Sequence, residues 1–129
     1  MELIFNSTKR FEKSLEQVPH QNREKIVEKI NQLAHLFISD PILFFQRASQ
    51  CSDIQFDDLE SSLYVAQLSE KDQILLTIDD DPIFDQVIFT LFALTTCEQL
   101  EQDLVSIKES LYQNKIHGQA KEVTLSGAV

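Results

Sequence analysis

Apolar positions along this chain recur at two periods, and the switch between them predicts the elements. Residues 2–6 alternate, with Leu3 and Phe5 on one face and Ile4 on the other, as in a short strand. Ser7 or Thr8 then caps a helix that puts Phe11, Leu15 and Val18 on one side, and Pro19 ends that pattern. A second helix over residues 21–37 carries Ile26, Ile30, Leu33 and Phe37 at helical spacing, with Arg23, Glu24, Glu28 and Lys29 on its outer face. Asp40-Pro41 suits the cap and first turn of a short third helix through residues 42–45; four apolar residues in a row also fit a buried connection.

Residues 50–61 are polar and acidic and read as a loop. Beyond them lie three strands, at 62–68, 73–78 and 86–94, the first two joined by a four-residue turn, Ser69-Glu70-Lys71-Asp72. In the second strand Ile74, Leu76 and Ile78 share a face opposite Leu75. The third is apolar on both sides, Val87, Phe89 and Leu91 alternating with Ile88, Phe92 and Leu94, which predicts a central strand covered on both faces. Thr96 followed by Gln99 is a capping signature for a last helix over 97–113, whose stripe is Cys97, Leu100, Leu104, Ile107 and Leu111. That helix is expected to cover the second face. Residues 114–129 show no periodicity and read as a flexible tail, leaving 1–113 as the domain.

A length of 129 residues suits one core rather than two, and 43% hydrophobic with 25% charged residues is the composition of a soluble globular protein. The formal charge of −10 is unevenly spread. Residues 48–107 hold thirteen acids and one cation, Lys71, whereas seven of the eleven Lys/Arg lie in residues 1–47 against six acids. Such a surface is either simply solvating or an acidic face for a basic protein partner, and it repels polyanions. Cys51 and Cys97 show no CxxC spacing, and no apolar run approaches the ~20 residues that span a bilayer, so a reduced cytoplasm and no membrane are expected.

Candidate chemistry is sparse. Both glycines, Gly118 and Gly127, fall in the tail, which excludes glycine-rich phosphate loops and dinucleotide fingerprints within the domain. His20, His35 and His117 are scattered, so neither a metal centre nor a histidine-activated nucleophile is expected, and no cofactor. Asp79, Asp80, Asp81 and Asp85 form the densest charge. They read as an acidic turn or as a site for a cation or basic partner, and they lack the calcium-loop spacing.

The order strand, helix, helix, three strands, helix, together with Leu63-Tyr64-Val65-Ala66-Gln67-Leu68 and Gln73-Ile74-Leu75-Leu76-Thr77-Ile78, resembles the RelE/ParE toxin superfamily of toxin–antitoxin systems. The chain is similar to a divergent member over residues 2–95, the last helix being an extension. The resemblance implies an α+β fold: a small mixed or antiparallel curved sheet, an N-terminal helical hairpin and an extra C-terminal helix. Members that cut ribosome-bound mRNA place cations and aromatics on the strands to hold the scissile phosphate. The corresponding positions here are Gln67, Asp72 and Gln73, with Ala93 to Thr96 where an arginine and a histidine often stand; Lys71 and Tyr64 are the nearest cation and phenol, and with Gln67 and Gln73 they are the candidate catalytic residues. Gln67, Gln73 and Ala93 carry no charge, and Lys71 is the only cation expected near them. The resemblance therefore implies a degenerate nuclease site and a component that acts by binding an antitoxin-like or other basic protein, through Asp79, Asp80, Asp81 and Asp85. An active ribosome-dependent RNA interferase and a gyrase-inhibiting toxin are the alternatives, and a homodimer through the last helix or a strand edge is a further expectation.

Overall fold

The computed structural model describes residues 1–56, 59–117 and 123–124. The fold is α+β. Strand β1 (Glu2–Ser7) is followed by helices α1 (Lys9–Glu16), α2 (His20–Ser39) and α3 (Pro41–Arg47). Strands β2 (Ala48–Phe56), β3 (Leu59–Gln67), β4 (Gln73–Asp81) and β5 (Gln86–Thr95) come next, then α4 (Leu100–His117) and the two-residue β6 (Val123–Thr124). The sheet is mixed, in the order β2-β3-β4-β5-β1-β6. Successive strands β2 to β5 are antiparallel, and β1 returns to lie parallel beside β5.

Local chemistry explains the helix starts. Thr8 caps α1, its hydroxyl accepting from the Phe11 amide at 3.2 Å. Asp40 does the same for α3 through Leu43 at 3.2 Å, with Pro41 in the first turn, which settles that short segment as a helix. Thr96 Oγ1 accepts from the Gln99 amide at 3.3 Å, as the capping signature predicts, although α4 begins at Leu100 and leaves Cys97 exposed outside its apolar stripe.

Two cores lie on opposite faces of the sheet. On the first, Phe11, Ile26, Ile30, Leu33 and Phe44 from α1–α3 pack over Phe5, Ile74, Leu76, Val87, Phe89 and Leu91. On the second, Ile107 of α4 packs on Leu63, Leu75, Phe92 and Ala93, with Leu100 and Leu104 beside it. Strand β5 is thus covered on both sides, as its sequence predicts.

Three expectations change. Residues 50–61 are not a loop: β2 and β3 pair from Ala48↔Ala66 to Phe56↔Leu59, leaving only a two-residue connection at 57–58, outside the described residues. The strand is polar because it is the sheet edge, with one hydrogen-bonding neighbour. Strand β4 runs on to Asp81, so Asp79, Asp80 and Asp81 face Ile88, Val87 and Gln86 across the ladder, and the turn is confined to residues 82–85. Finally, β5 does not alternate throughout. The register steps from Leu76↔Leu91 to Leu75↔Ala93, so Phe92 is an extra residue. Phe92 and Ala93 therefore both face the second core, and Leu94 returns to the first, with Leu91 rather than with Phe92.

Of the segment 114–129 expected as a flexible tail, α4 takes up residues to His117 and Val123–Thr124 pair with Ser7 and Asn6. The remainder lies outside the described residues. Among the described residues no helix is long and apolar enough to cross a membrane.

Candidate functional site

Strand β1 ends at Ser7, opposite Leu91, and α1 takes its place beside the last residues of β5, close to the bulge. The Thr8 hydroxyl lies 3.2 Å from the Leu91 carbonyl and 3.1 Å from that of Phe92, and the Thr8 amide donates to Leu91 at 3.1 Å. One and a half turns on, Ser14 Oγ accepts from the Leu94 amide at 3.1 Å and donates to the Phe11 carbonyl at 2.7 Å. Helix α1 is therefore fastened along the end of β5 at two points. Arg10 Nη2 donates to Ser106 Oγ at 2.6 Å, which ties α1 to α4.

Between these elements lies a cleft of about 850 Å³. Lys9, Arg10 and Lys13 of α1, with Gln17 just beyond it, form one wall, Ala93, Leu94, Thr95 and Thr96 the floor, and Gln99, Asp103 and Ser110 the other wall, with Asp72 at the rim. Among the described residues, no carboxylate oxygen lies within 4 Å of Lys9, Arg10 or Lys13. The expectation that Lys71 is the only cation near the end of β5 is therefore corrected. It counted cations by neighbourhood in the chain, whereas α1 reaches residues 93–96 from some eighty positions away.

The four strand positions singled out from the sequence do not converge. Tyr64 faces the first core, in register with Leu76, its ring 5.7 Å from that of Phe45. Gln67 and Gln73 lie opposite each other in the row continuing Val65 and Leu75, on the other face. Gln73 Nε2 donates to Gln67 Oε1 at 3.1 Å, and Gln67 Nε2 donates to the Ser69 carbonyl. Gln73 Oε1 is buried with no hydrogen-bond partner among the described residues. Lys71 is exposed in the β3–β4 turn, which Ser69 and Asp72 hold by a hydroxyl-to-carboxylate bond of 3.0 Å.

The acidic positions cluster at the opposite end of β4 and β5. Asp81 Oδ1 accepts from the amides of Ile83 and Phe84 at 3.2 and 3.4 Å, which closes the turn. Asp85 adopts a positive φ of 52°, accepts the Glu2 amide on its carbonyl at 2.9 Å and pairs with the Met1 ammonium at 3.3 Å. Aspartate tolerates that left-handed conformation better than most residues. The turn so fixed presents Ile83 at 85% and Phe84 at 70% exposure, flanked by Asp80 and Asp85, both also exposed. Sequence reasoning noticed the acids and passed over these two side chains, although an Ile-Phe pair inside a Pro-to-Asp turn is itself a signal.

Cys51 sits at the irregularity of β2, where its thiol lies 3.2 Å from the Leu63 carbonyl; burial raises its pKa above the ordinary value of 9.0. Both described cysteines are free thiols. Among the described residues no three or more His, Cys, Asp or Glu are placed to hold a metal ion. Compared with known proteins, the chain matches no family model, no curated protein and no solved structure.

Proposed function

We propose that this chain is a RelE/ParE-like toxin–antitoxin component that acts by docking a basic protein partner on the β4–β5 turn. The observation that carries the reading is the exposure of Ile83 and Phe84 on a turn whose backbone is held by Asp81 and Asp85. A rigid apolar anchor ringed by charge is the usual anatomy of an interface centre, and carboxylates at Asp79, Asp80, Asp81 and Asp85 select a cationic partner. The element order supports the family resemblance: strand, helices, antiparallel strands, helix, with a third short helix and an edge strand added to the pattern. The separation of Tyr64 from Gln67 and Gln73 on opposite faces supports a degenerate rather than a working nuclease site.

The test is co-expression with the product of an adjacent gene encoding a short chain with a DNA-binding half and a basic half. The two proteins co-purify, and Phe84→Ala weakens the complex roughly 30-fold, the loss of a typical anchor of about 2 kcal/mol. A complex indifferent to both Phe84→Ala and Ile83→Ala, or a gene with no such neighbour, defeats the reading. A second reading, an active RNA interferase, is favoured by the three α1 cations beside residues 93–96. Growth arrest with mRNA cleavage, abolished by Lys71→Ala, Tyr64→Phe or Lys13→Ala, selects it instead.

A further inference from the structure

The cleft between α1, the end of β5 and α4 is a local inversion of charge. A chain of net charge −10 places three cations on one wall, and among the described residues none has a carboxylate within ion-pair distance. Cations left without such partners are an anion site in waiting, because a ligand recovers the attraction that the protein leaves unused. The wall is also preorganised: Thr8 and Ser14 fix α1 to the strand, and the Arg10–Ser106 bond fixes its distance from α4. Ordering cost on binding is correspondingly small.

We propose that this cleft binds a compact phosphomonoester carried on a sugar-sized polar body, and not a nucleic-acid strand. Two lysines and a guanidinium along one helix match a dianion; Arg10 gives one N–H to Ser106 and keeps others to donate. A volume of about 850 Å³ lies within the usual 300–1,000 Å³ of small-molecule sites and exceeds what phosphate alone fills. The remaining lining supplies hydroxyl and amide partners at Thr95, Thr96, Gln99 and Ser110, and acceptors for ligand hydroxyls at Asp72 and Asp103. Those same carboxylates argue against a polynucleotide. Its next phosphates have to leave the cleft past Asp72 or Asp103, over a region of sequence with thirteen acids and one cation.

Titration calorimetry of the intact chain in about 0.1 M salt tests the site with ribose 5-phosphate, ribose, inorganic phosphate and single-stranded RNA of two and eight nucleotides. Ribose 5-phosphate binds saturably and more tightly than inorganic phosphate, ribose does not bind, and added salt weakens the complex. The double variant Lys9→Gln/Lys13→Gln, on exposed positions that leave the fold intact by circular dichroism, weakens binding roughly tenfold or more. Lys29→Gln removes the same kind of charge from the exposed face of α2, outside the cleft, and leaves affinity within about twofold. Absence of saturable binding, equal loss in the Lys29 variant, or affinity rising from two to eight nucleotides overturns the proposal. The last result returns the cleft to RNA.

Discussion

Removing the Thr8 hydroxyl tests whether α1 is held by the bulge or only by its apolar face. That hydroxyl accepts from Phe11 N at the start of α1 and donates towards the carbonyls of Leu91 and Phe92. Loss of an N-cap costs about 1 kcal/mol, and loss of a half-buried hydrogen bond costs about another 1 kcal/mol. Thr8→Val, which keeps the shape, should therefore lose about 2 kcal/mol, whereas Thr8→Ser, which keeps the oxygen, should lose well under 1 kcal/mol. Urea unfolding followed by circular dichroism reads this directly. With a slope near 2 kcal/mol per molar, the Thr8→Val midpoint falls by roughly 1 M. Ser14→Ala removes the second fastening, the acceptor of the Leu94 amide, and because both side chains pin one helix the double variant should depart from additivity. A Thr8→Val protein within about 0.5 kcal/mol of wild type, or a Thr8→Ser protein as weak as Thr8→Val, refutes the reasoning. The bulge would then be held by packing alone.

Ile107 is the deepest described side chain of α4, at 2% exposure, so Ile107→Ala should cost about 2–5 kcal/mol in chemical unfolding. A much smaller cost means that α4 contributes little to the cooperative unit. At pH 8, iodoacetamide should label exposed Cys97 roughly tenfold or more faster than Cys51, whose thiol burial keeps protonated; equal rates in peptide mapping contradict this. The same raised pKa has a stability consequence. Above about pH 9 the unfolded chain loses the Cys51 proton before the folded one, so stability falls with rising pH, and Cys51→Val should flatten that alkaline slope. Asp85→Asn should stay within about 0.5 kcal/mol of wild type, because its exposed ion pair is worth little. Asp85→Val should lose about 1–2 kcal/mol, because a β-branched side chain resists φ of 52°.

Periodicity made most of the fold legible: strand β1, the caps at Thr8, Asp40 and Thr96, and the double-sided strand β5 all follow from local patterns that the tertiary structure does not oppose. Strand β2 did not, because an edge strand that pairs on one side needs no apolar run, and Gln50, Ser52 and Asp53 look like a loop to any hydropathy rule. The bulge at Phe92 was hidden for a different reason. A slip of one residue reverses which face each later side chain takes, yet leaves an all-apolar segment looking the same. For the candidate site, one feature was legible in advance: Tyr64 and Gln67 are three apart in a strand, and a period of two sends them to opposite faces. The cleft was not legible, because the meeting of Lys9, Arg10 and Lys13 with Thr95 and Asp103 depends on β1 returning to the side of β5.

That return also determines how the two proposed sites relate. The docking turn lies at one end of the β4–β5 ladder, beside the Asp81↔Gln86 pair, and the cleft lies at the other, beside Gln73↔Thr95. Eight steps along β4 at about 3.3 Å put them roughly 26 Å apart. The screening length is about 10 Å at 0.1 M salt, so carboxylates at the turn barely alter the potential felt by an anion at Lys9 and Lys13. Coupling between the sites would have to pass through the sheet, and among the described residues no element shows two arrangements for a partner to choose between. Asp80→Asn combined with Phe84→Ala should therefore leave the ribose 5-phosphate affinity within about twofold while abolishing partner docking, since thermodynamic coupling is reciprocal and here close to zero. The measurement is the same calorimetric titration, repeated with the partner bound. A change of tenfold in either direction would show that the strands between the turn and the cleft transmit what electrostatics at this distance cannot.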